Sequence, residues 1–372
     1  MNNRKITVYV RNANITPSSY YRIIQYVEKF ETDVLIRNIA PDKLYELYLQ
    51  VPKNKKILHA FLGIIYYIIM LIRVTTFLLI DLVNKPEYII LSKSFCPRYT
   101  PFLLRVLIDK VTKNTFFIWD FDDYIFNSGE ISNLQAEILM RNSSKIVVTN
   151  DFLKSKLGTK YEKKVDLLPT TDGDLQGFSQ KKLEKKRKET FDNEIRLVWV
   201  ATSGNIPHLV SIIEALDEAS IILHEKQKKQ LVLICVCNKS VEYKTKHLKL
   251  INMKWTRSLA KEQIYNAHIG VMPLNKNDYT LGKGGFKLVQ YISTCLPVIG
   301  SNVGYNSQVI NNETGFLIND ENNKRDWIEA VLKLGSSFEV WLNYSRGSYV
   351  NWTENFSYNH NLNYWLKVLG IK

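Results

Sequence analysis

Short apolar runs alternate with helix-length amphipathic stretches along most of the chain, and no other feature narrows the fold so far. Brief runs that stay apolar on both faces suit strands covered on both sides. The stretches between them suit the crossover helices that parallel strands need. In the first half the strand candidates are 6–10, 33–36, 88–91, 116–119, 145–149 and 165–168. A helix expected over 19–30 collects Ile23, Ile24, Tyr26, Val27 and Phe30 on one broad face. After residue 194 the pattern restarts with candidates at 195–201, 231–236, 248–251, 269–272, 297–301 and 315–318. A helix opens near Pro207, whose missing amide hydrogen is not needed in a first turn, and runs to about 219. The chain's 372 residues suffice for two separate cores. The expected fold is α/β: two Rossmann-like, doubly wound domains facing a cleft, with ligands beyond the carboxyl ends of the strands. The first domain is placed at 1–176 and the second at 195–349. Gly173, Gly177 and the basic run Lys181–Lys188 make 177–194 an exposed linker, and 358–369 is helical in pattern.

Hydrophobic residues make up 45% of the chain, which excludes a disordered protein. The formal net charge of +14 calls for an anionic partner: nucleic acid, an anionic membrane or a phosphorylated small molecule. No helix-turn-helix, finger or aromatic-basic platform supports nucleic acid. Cys96, Cys235, Cys237 and Cys295 lie in apolar surroundings without metal-ligand spacing, so buried thiols are expected. Residues 1–5 lead into a strand without an apolar leader, and the expected location is a reducing cytosol.

Three segments could carry chemistry. In Gly282-Lys283-Gly284-Gly285-Phe286-Lys287 a glycine-rich turn opens a helix between two lysines. Glycine lets the backbone approach a ligand closely, the first helix amides point at it, and the lysines add charge, as a diphosphate requires. An ordinary loop with two solvated lysines is the plain alternative. Ser203-Gly204-Asn205, where strand 195–201 turns into a helix, offers a second set of amides, or simply a turn with a cap. Asp120, Asp122 and Asp123 end strand 116–119, and carboxylates there are costly unless they face solvent, a cation or a ligand. One or more could instead pair with a lysine, cap a helix or hold Mg²⁺.

The block 282–304, with Cys295-Leu296-Pro297-Val298-Ile299-Gly300 and the turn Val303-Gly304-Tyr305-Asn306, resembles family 4 glycosyltransferases, as does His268-Ile269-Gly270-Val271-Met272-Pro273-Leu274 upstream. The likeness is greatest to the bacterial branch whose donor motif has Lys, a small pair, Phe-Lys and then Gln-Tyr. It covers about 195–345; in the first half it rests on Pro17-Ser18-Ser19-Tyr20-Tyr21-Arg22 and Asp120-Phe121-Asp122-Asp123. The resemblance implies a GT-B fold, retention of configuration, no metal cofactor and a C-terminal helix, about 350–372, that crosses back to the first domain. It implies a donor site of Ser203, Gly204, Asn205, Arg257, Pro273, Leu274, Gly284, Gly285, Phe286 and Gln290, with Lys283 and Lys287 balancing the leaving diphosphate. Asp122 matches best the position of a histidine that many relatives use in catalysis; Asp120 and Asp123 flank it. Ser18, Ser19, Tyr20, Arg22 and Lys93 are the acceptor-side candidates.

Three departures from the family pattern matter. Many relatives carry two glutamates separated by seven residues; here Gln290 and Gly282 occupy those places. The Arg and Lys that many relatives place in the loop held here by Ser203-Gly204-Asn205 are absent, and His268 stands where the nearest branch usually has Asp.

Residues 57–80 are apolar almost all round, interrupted by His59 and Arg73 and followed by Asp81. Those residues fragment it as a membrane span. It reads as a buried helix or as one lying in a membrane interface, the latter favoured by Lys53, Lys55 and Lys56 before it. The expected function is transfer of a sugar from a nucleotide-diphosphate donor, UDP or GDP type, to a lipid-linked surface glycan such as a capsule, at the inner face of the cell membrane. A nucleotide-sugar epimerase of the same fold and a non-catalytic paralogue acting as a scaffold are the alternatives.

Overall fold

The computed structural model describes residues 5–52, 54–175, 177–320 and 323–371, which leaves Lys53 outside the described residues. The chain divides into two compact units, Met1–Pro169 with Asn361–Lys372, and Thr170–His360.

The first unit holds strands β1 (Ile6–Val10), β2 (Val34–Asn38), β3 (Tyr88–Ser92), β4 (Phe116–Phe121), β5 (Lys145–Val148) and β6 (Val165–Leu167), all paired in parallel in the order β2-β1-β3-β4-β5-β6. The central strands are buried on both faces, which is why they read as continuous apolar runs. The first helical stretch runs Pro17–Val27, slightly earlier than the sequence suggests, and includes a π turn at Tyr20–Ile24. At the other end of the chain Asn361 donates to the Pro169 carbonyl (2.6 Å), and Tyr364 donates to Asp166 (2.9 Å).

Residues 56–84 form one uninterrupted helix, Lys56–Asn84, although His59, Arg73 and Asp81 break up the apolar run as a membrane span. The reason is where its polar groups point. Tyr66, Met70, Val74 and Leu78 recur every four residues and sink into the unit's core. Arg73, on the same side, donates to the Asn38 carbonyl (2.8 Å), and Asp81 is buried against Arg37 and Tyr9. The opposite side exposes Ile57, Phe61, Ile64, Ile68, Ile72, Leu79 and Val83. By length and composition this helix could cross a membrane.

The second unit holds β7 (Glu194–Ala201), β8 (Gln230–Cys237), β9 (Lys249–Lys254), β10 (Ile269–Met272), β11 (Val298–Ser301) and β12 (Gly315–Ile318), again all parallel, in the order β12-β11-β10-β7-β8-β9. The basic run read as an exposed linker is the helix Gln180–Phe191, with Leu183, Arg187 and Phe191 buried in this unit. Its surface lysines hide one inward face. Among the described residues Arg187 pairs with no carboxylate: its guanidinium donates to the carbonyls of Thr294 (2.8 Å), Cys295 (3.3 Å) and Ile264 (3.2 Å). These carbonyls lie at the C-terminal ends of two helices, Arg257–Asn266 and Phe286–Ser293; that of Ile264 also accepts from the Ala267 amide and that of Cys295 from the Ser345 hydroxyl. The helix after β7 spans Ile206–Gln227, a full two turns beyond residue 219. His268 is wholly buried; its ring accepts from the Arg196 amide (2.9 Å), and burial lowers its pKa to about 3, so it is a neutral structural group.

Asp81→Asn keeps the shape but strands Arg37 as an uncompensated interior charge. We expect a loss of about 3–5 kcal/mol, read as a lower urea midpoint of the full chain.

Candidate active site

In a doubly wound sheet, a crevice opens at the strand ends where the chain's winding reverses. In the second unit that point lies between β7 and β10, because β8 and β9 extend to one side of β7 and β10, β11 and β12 to the other. The segments leaving these two strands carry five of the ten expected donor residues. After β7, Ser203–Asn205 makes a single 3₁₀ turn into the following helix. The Ser203 amide donates to Asn238 Oδ1 (2.7 Å), which fixes the turn against the end of β8. After β10, Pro273 and Leu274 are buried, and the Leu274 amide donates to Ser301 Oγ at the end of β11 (3.0 Å).

The glycine-rich turn joins this group. Gly285 caps the helix Phe286–Ser293 with φ +63°, a left-handed conformation that costs glycine little, and a Cβ there would come within 3.1 Å of the Tyr305 ring. The helix is held to the sheet by Tyr291, whose hydroxyl accepts from the Val200 amide (2.9 Å) and whose ring lies where any side chain on Gly270 would clash. Lys283 donates to Asn205 Oδ1, so the two turns are bound together across the strand ends. Its ammonium also lies 5.1 Å from the centre of the Tyr279 ring. One turn on, Lys287 donates to Gln290 Oε1 (3.3 Å). Burial lowers the Lys287 pKa to about 8; nearby Asp172 opposes the shift and Lys283 adds to it. His208 is pushed down as well, by burial and then by Lys283.

Gly282, at the place of the first family glutamate, closes the short helix Asp278–Leu281 and brings no carboxylate. Gln290 is not alone, however: its Nε2 donates to Asp172 Oδ2 (2.6 Å). Arg257 pairs with Asp174. Asp172 escaped the sequence analysis because it sits in a loop over a hundred residues before its partner; its only local signal was a carboxylate followed by Gly173.

In the first unit the winding reverses between β1 and β3. Lys93, just past β3, has φ +63° and gives its amide to the Asp120 carbonyl (2.8 Å). Its ammonium lies 3.1 Å from Asp122 Oδ1 and 2.8 Å from Asp123 Oδ2. Burial works against that charge, yet the two carboxylates outweigh it and hold the Lys93 pKa above its ordinary value. Burial pushes the Asp122 carboxyl up while Lys93 opposes. Asp120 lies apart from this cluster: it is fully buried, paired with Arg22, which also donates to the Leu168 carbonyl (2.6 Å). Arg22 and Asp120 therefore meet each other in the interior. Ser19 is buried, and Ser18 and Tyr20 are half-buried on the same helical stretch. Arg11, which follows β1 and pairs with Glu130, belongs to this strand-end group and was not evident in the sequence, because Glu130 lies in a distant loop. Among the described residues, no group of three or more His, Cys, Asp or Glu side chains is arranged to hold a metal ion.

Residues 197–337 match the family profile of the glycosyl transferases group 1. The matched residues lie within the second unit. Solved structures similar to the whole chain include HepE of Anabaena in complex with UDP, at 8% identity over 98% of this chain and 99% of that one, TM-score 0.64. A glycosyltransferase of Rickettsia africae shares 13% identity over 99% and 98%, TM-score 0.64. Sucrose-phosphate synthase of Thermosynechococcus elongatus shares 10% over 98% and 98%, TM-score 0.59. The fold of the chain is thus GT-B. No curated protein matches the sequence.

The position of Lys287 in this glycosyltransferase domain gives a direct test. In competitive amine labelling followed by mass spectrometry, Lys287 should reach half its own plateau near pH 8, its expected pKa. Solvent-exposed lysines should do so about two units higher.

Proposed function

We propose that this glycosyltransferase moves a sugar, with retention of configuration, from a nucleotide-diphosphate donor to a lipid-linked acceptor, as a family 4 enzyme of surface-glycan synthesis. The observation that carries the donor half is the Lys283–Asn205 link, which gathers two helix-opening turns and the ammonium groups of Lys283 and Lys287 at one switch point. When the bond from the anomeric carbon to the diphosphate breaks, the diphosphate takes the electron pair and gains negative charge. Lysines and amides already oriented toward it lower the barrier without reorganising. UDP in the Anabaena structure makes uridine diphosphate the first nucleotide to test.

Asp122 and Asp123, held by Lys93, are the acceptor-side groups of this reading. A carboxylate there would accept hydrogen bonds from sugar hydroxyls or stabilise the cationic sugar of the transition state. Ser18 and Tyr20, half-buried on the helical stretch that carries Arg22, are the further acceptor-side candidates. The reaction as proposed needs no metal.

The exposed row on the Lys56–Asn84 helix supports a place at the inner face of the membrane, where a lipid-linked acceptor would lie. Arg73 and Asp81 face the protein, leaving Ile57, Phe61, Ile64, Ile68 and Ile72 outward, with the exposed Lys55 and Lys56 at its start.

The non-catalytic reading has one observation in its favour, the uncharged Gln290 and Gly282 where relatives carry glutamates. Thermal-shift screening with UDP, GDP, CDP and dTDP sugars separates the two: stabilisation by one nucleotide class supports the transferase, and no response to any supports the scaffold. Lys283→Ala should cut turnover by about 10²-fold or more with the melting temperature unchanged. Vesicles containing anionic lipid should sediment the protein, and Ile64→Asp with Ile68→Asp should release it at low and high salt alike.

A further inference from the structure

We infer that Asp172 is a positioning residue of the diphosphate site: its carboxylate locks the Gln290 amide, which in turn holds the Lys287 ammonium in place. The inference rests on the reading of Lys287 as a diphosphate-binding group and goes beyond it in naming what sets that group's orientation and charge.

The geometry is directional. Asp172 is 3% exposed, and its two oxygens have separate duties. Oδ1 accepts from the Asp174 amide (2.9 Å), and Oδ2 accepts from Gln290 Nε2 (2.6 Å). An ionised carboxylate only accepts, so it admits a single orientation of the Gln290 amide, with the NH₂ end toward Asp172. The other end, Oε1, must then face Lys287, and it does, at 3.3 Å. A flipped amide would set oxygen against carboxylate and NH₂ against ammonium. Gln290 is itself buried, at 7% exposure, so solvent offers no substitute for either contact.

The same link sets the charge. Lys287 has one close positive neighbour, Lys283, and one negative one, Asp172. The strands packed on its helix, β10 and β11, carry no ionisable side chain, and the ionic groups on the packed helix Phe338–Asn355 are Glu339, Arg346 and Glu354. Around Asp172 itself stand Asp174 and its partner Arg257. Without Asp172, burial and Lys283 act on Lys287 unopposed, and the ammonium loses its proton at a lower pH.

The test is UDP affinity by calorimetry as a function of pH, for the full chain and its variants. Wild-type affinity should fall as pH rises through about 8, where Lys287 loses its charge. In Asp172→Asn that fall should move down by about one pH unit, with affinity within about threefold of wild type at pH 6.5 and about tenfold weaker at pH 8.5. Lys287→Met should bind UDP weakly at every pH. If Lys287→Met binds UDP like wild type, the underlying reading fails. If Lys287→Met is weak but the Asp172→Asn curve coincides with wild type, only the present inference fails. Should Asp172→Asn not fold, Asp172→Ser removes the same carboxylate; a downward shift of its curve sustains the inference and an unmoved curve overturns it.

Discussion

Parallel pairing of β7 with β8 on one side and β10 on the other is the constraint on which the second unit turns. Such pairing needs a crossover for each strand, covers both faces with helices and leaves only the strand ends open to a ligand. The chain places its small, flexible residues there. Ser203-Gly204-Asn205 leaves β7, Pro273-Leu274 leaves β10, and the Gly284-Gly285 turn is tied to the first by Lys283. The first unit repeats the arrangement with β1 and β3, whose ends present Arg11 and Lys93.

The ionic groups fall into two physical classes. Arg22–Asp120 and Arg37–Asp81 are buried pairs whose members cancel one another, and Arg187 is buried among helix-closing carbonyls. Such groups are costly to desolvate and costlier to unpair, so they fix one arrangement of the chain. Lys283 and Lys287 differ. Both are half-buried; Lys283 repels the Lys287 ammonium, and Asp172 opposes that effect. Excess positive charge kept partly out of water is an arrangement suited to an anion. Lys93 with Asp122 and Asp123 is the inverse, two carboxylates around one ammonium.

The Lys56–Asn84 helix shows how tertiary contacts change the meaning of a sequence. In a string of letters, Arg73 and Asp81 interrupt an apolar run. In the folded unit both turn inward, Arg73 to a backbone carbonyl and Asp81 to Arg37 and Tyr9, so the outward face keeps its apolar character. The basic run 181–188 shows the converse: a stretch that reads as solvated hides Arg187 and Leu183 in the core.

Alternating apolar runs located the twelve strands of the described residues to within about three residues at either end; the central ones, buried on both faces, must be apolar throughout, and turn residues bound them. The local glycine-rich turns were legible for the same reason: backbone conformation and helix starts are written in neighbouring residues. Pairings across long sequence separations were not. Asp172 with Gln290, Arg22 with Asp120 and Arg11 with Glu130 join residues about a hundred positions apart, and nothing local marks which carboxylate meets which base. The sequence alone determined two parallel sheets and the residue types that stand at their strand ends. Only the folded chain decided which charges stay partly exposed at the strand ends and which are neutralised inside, since burial and partner distance, not residue type, set that division.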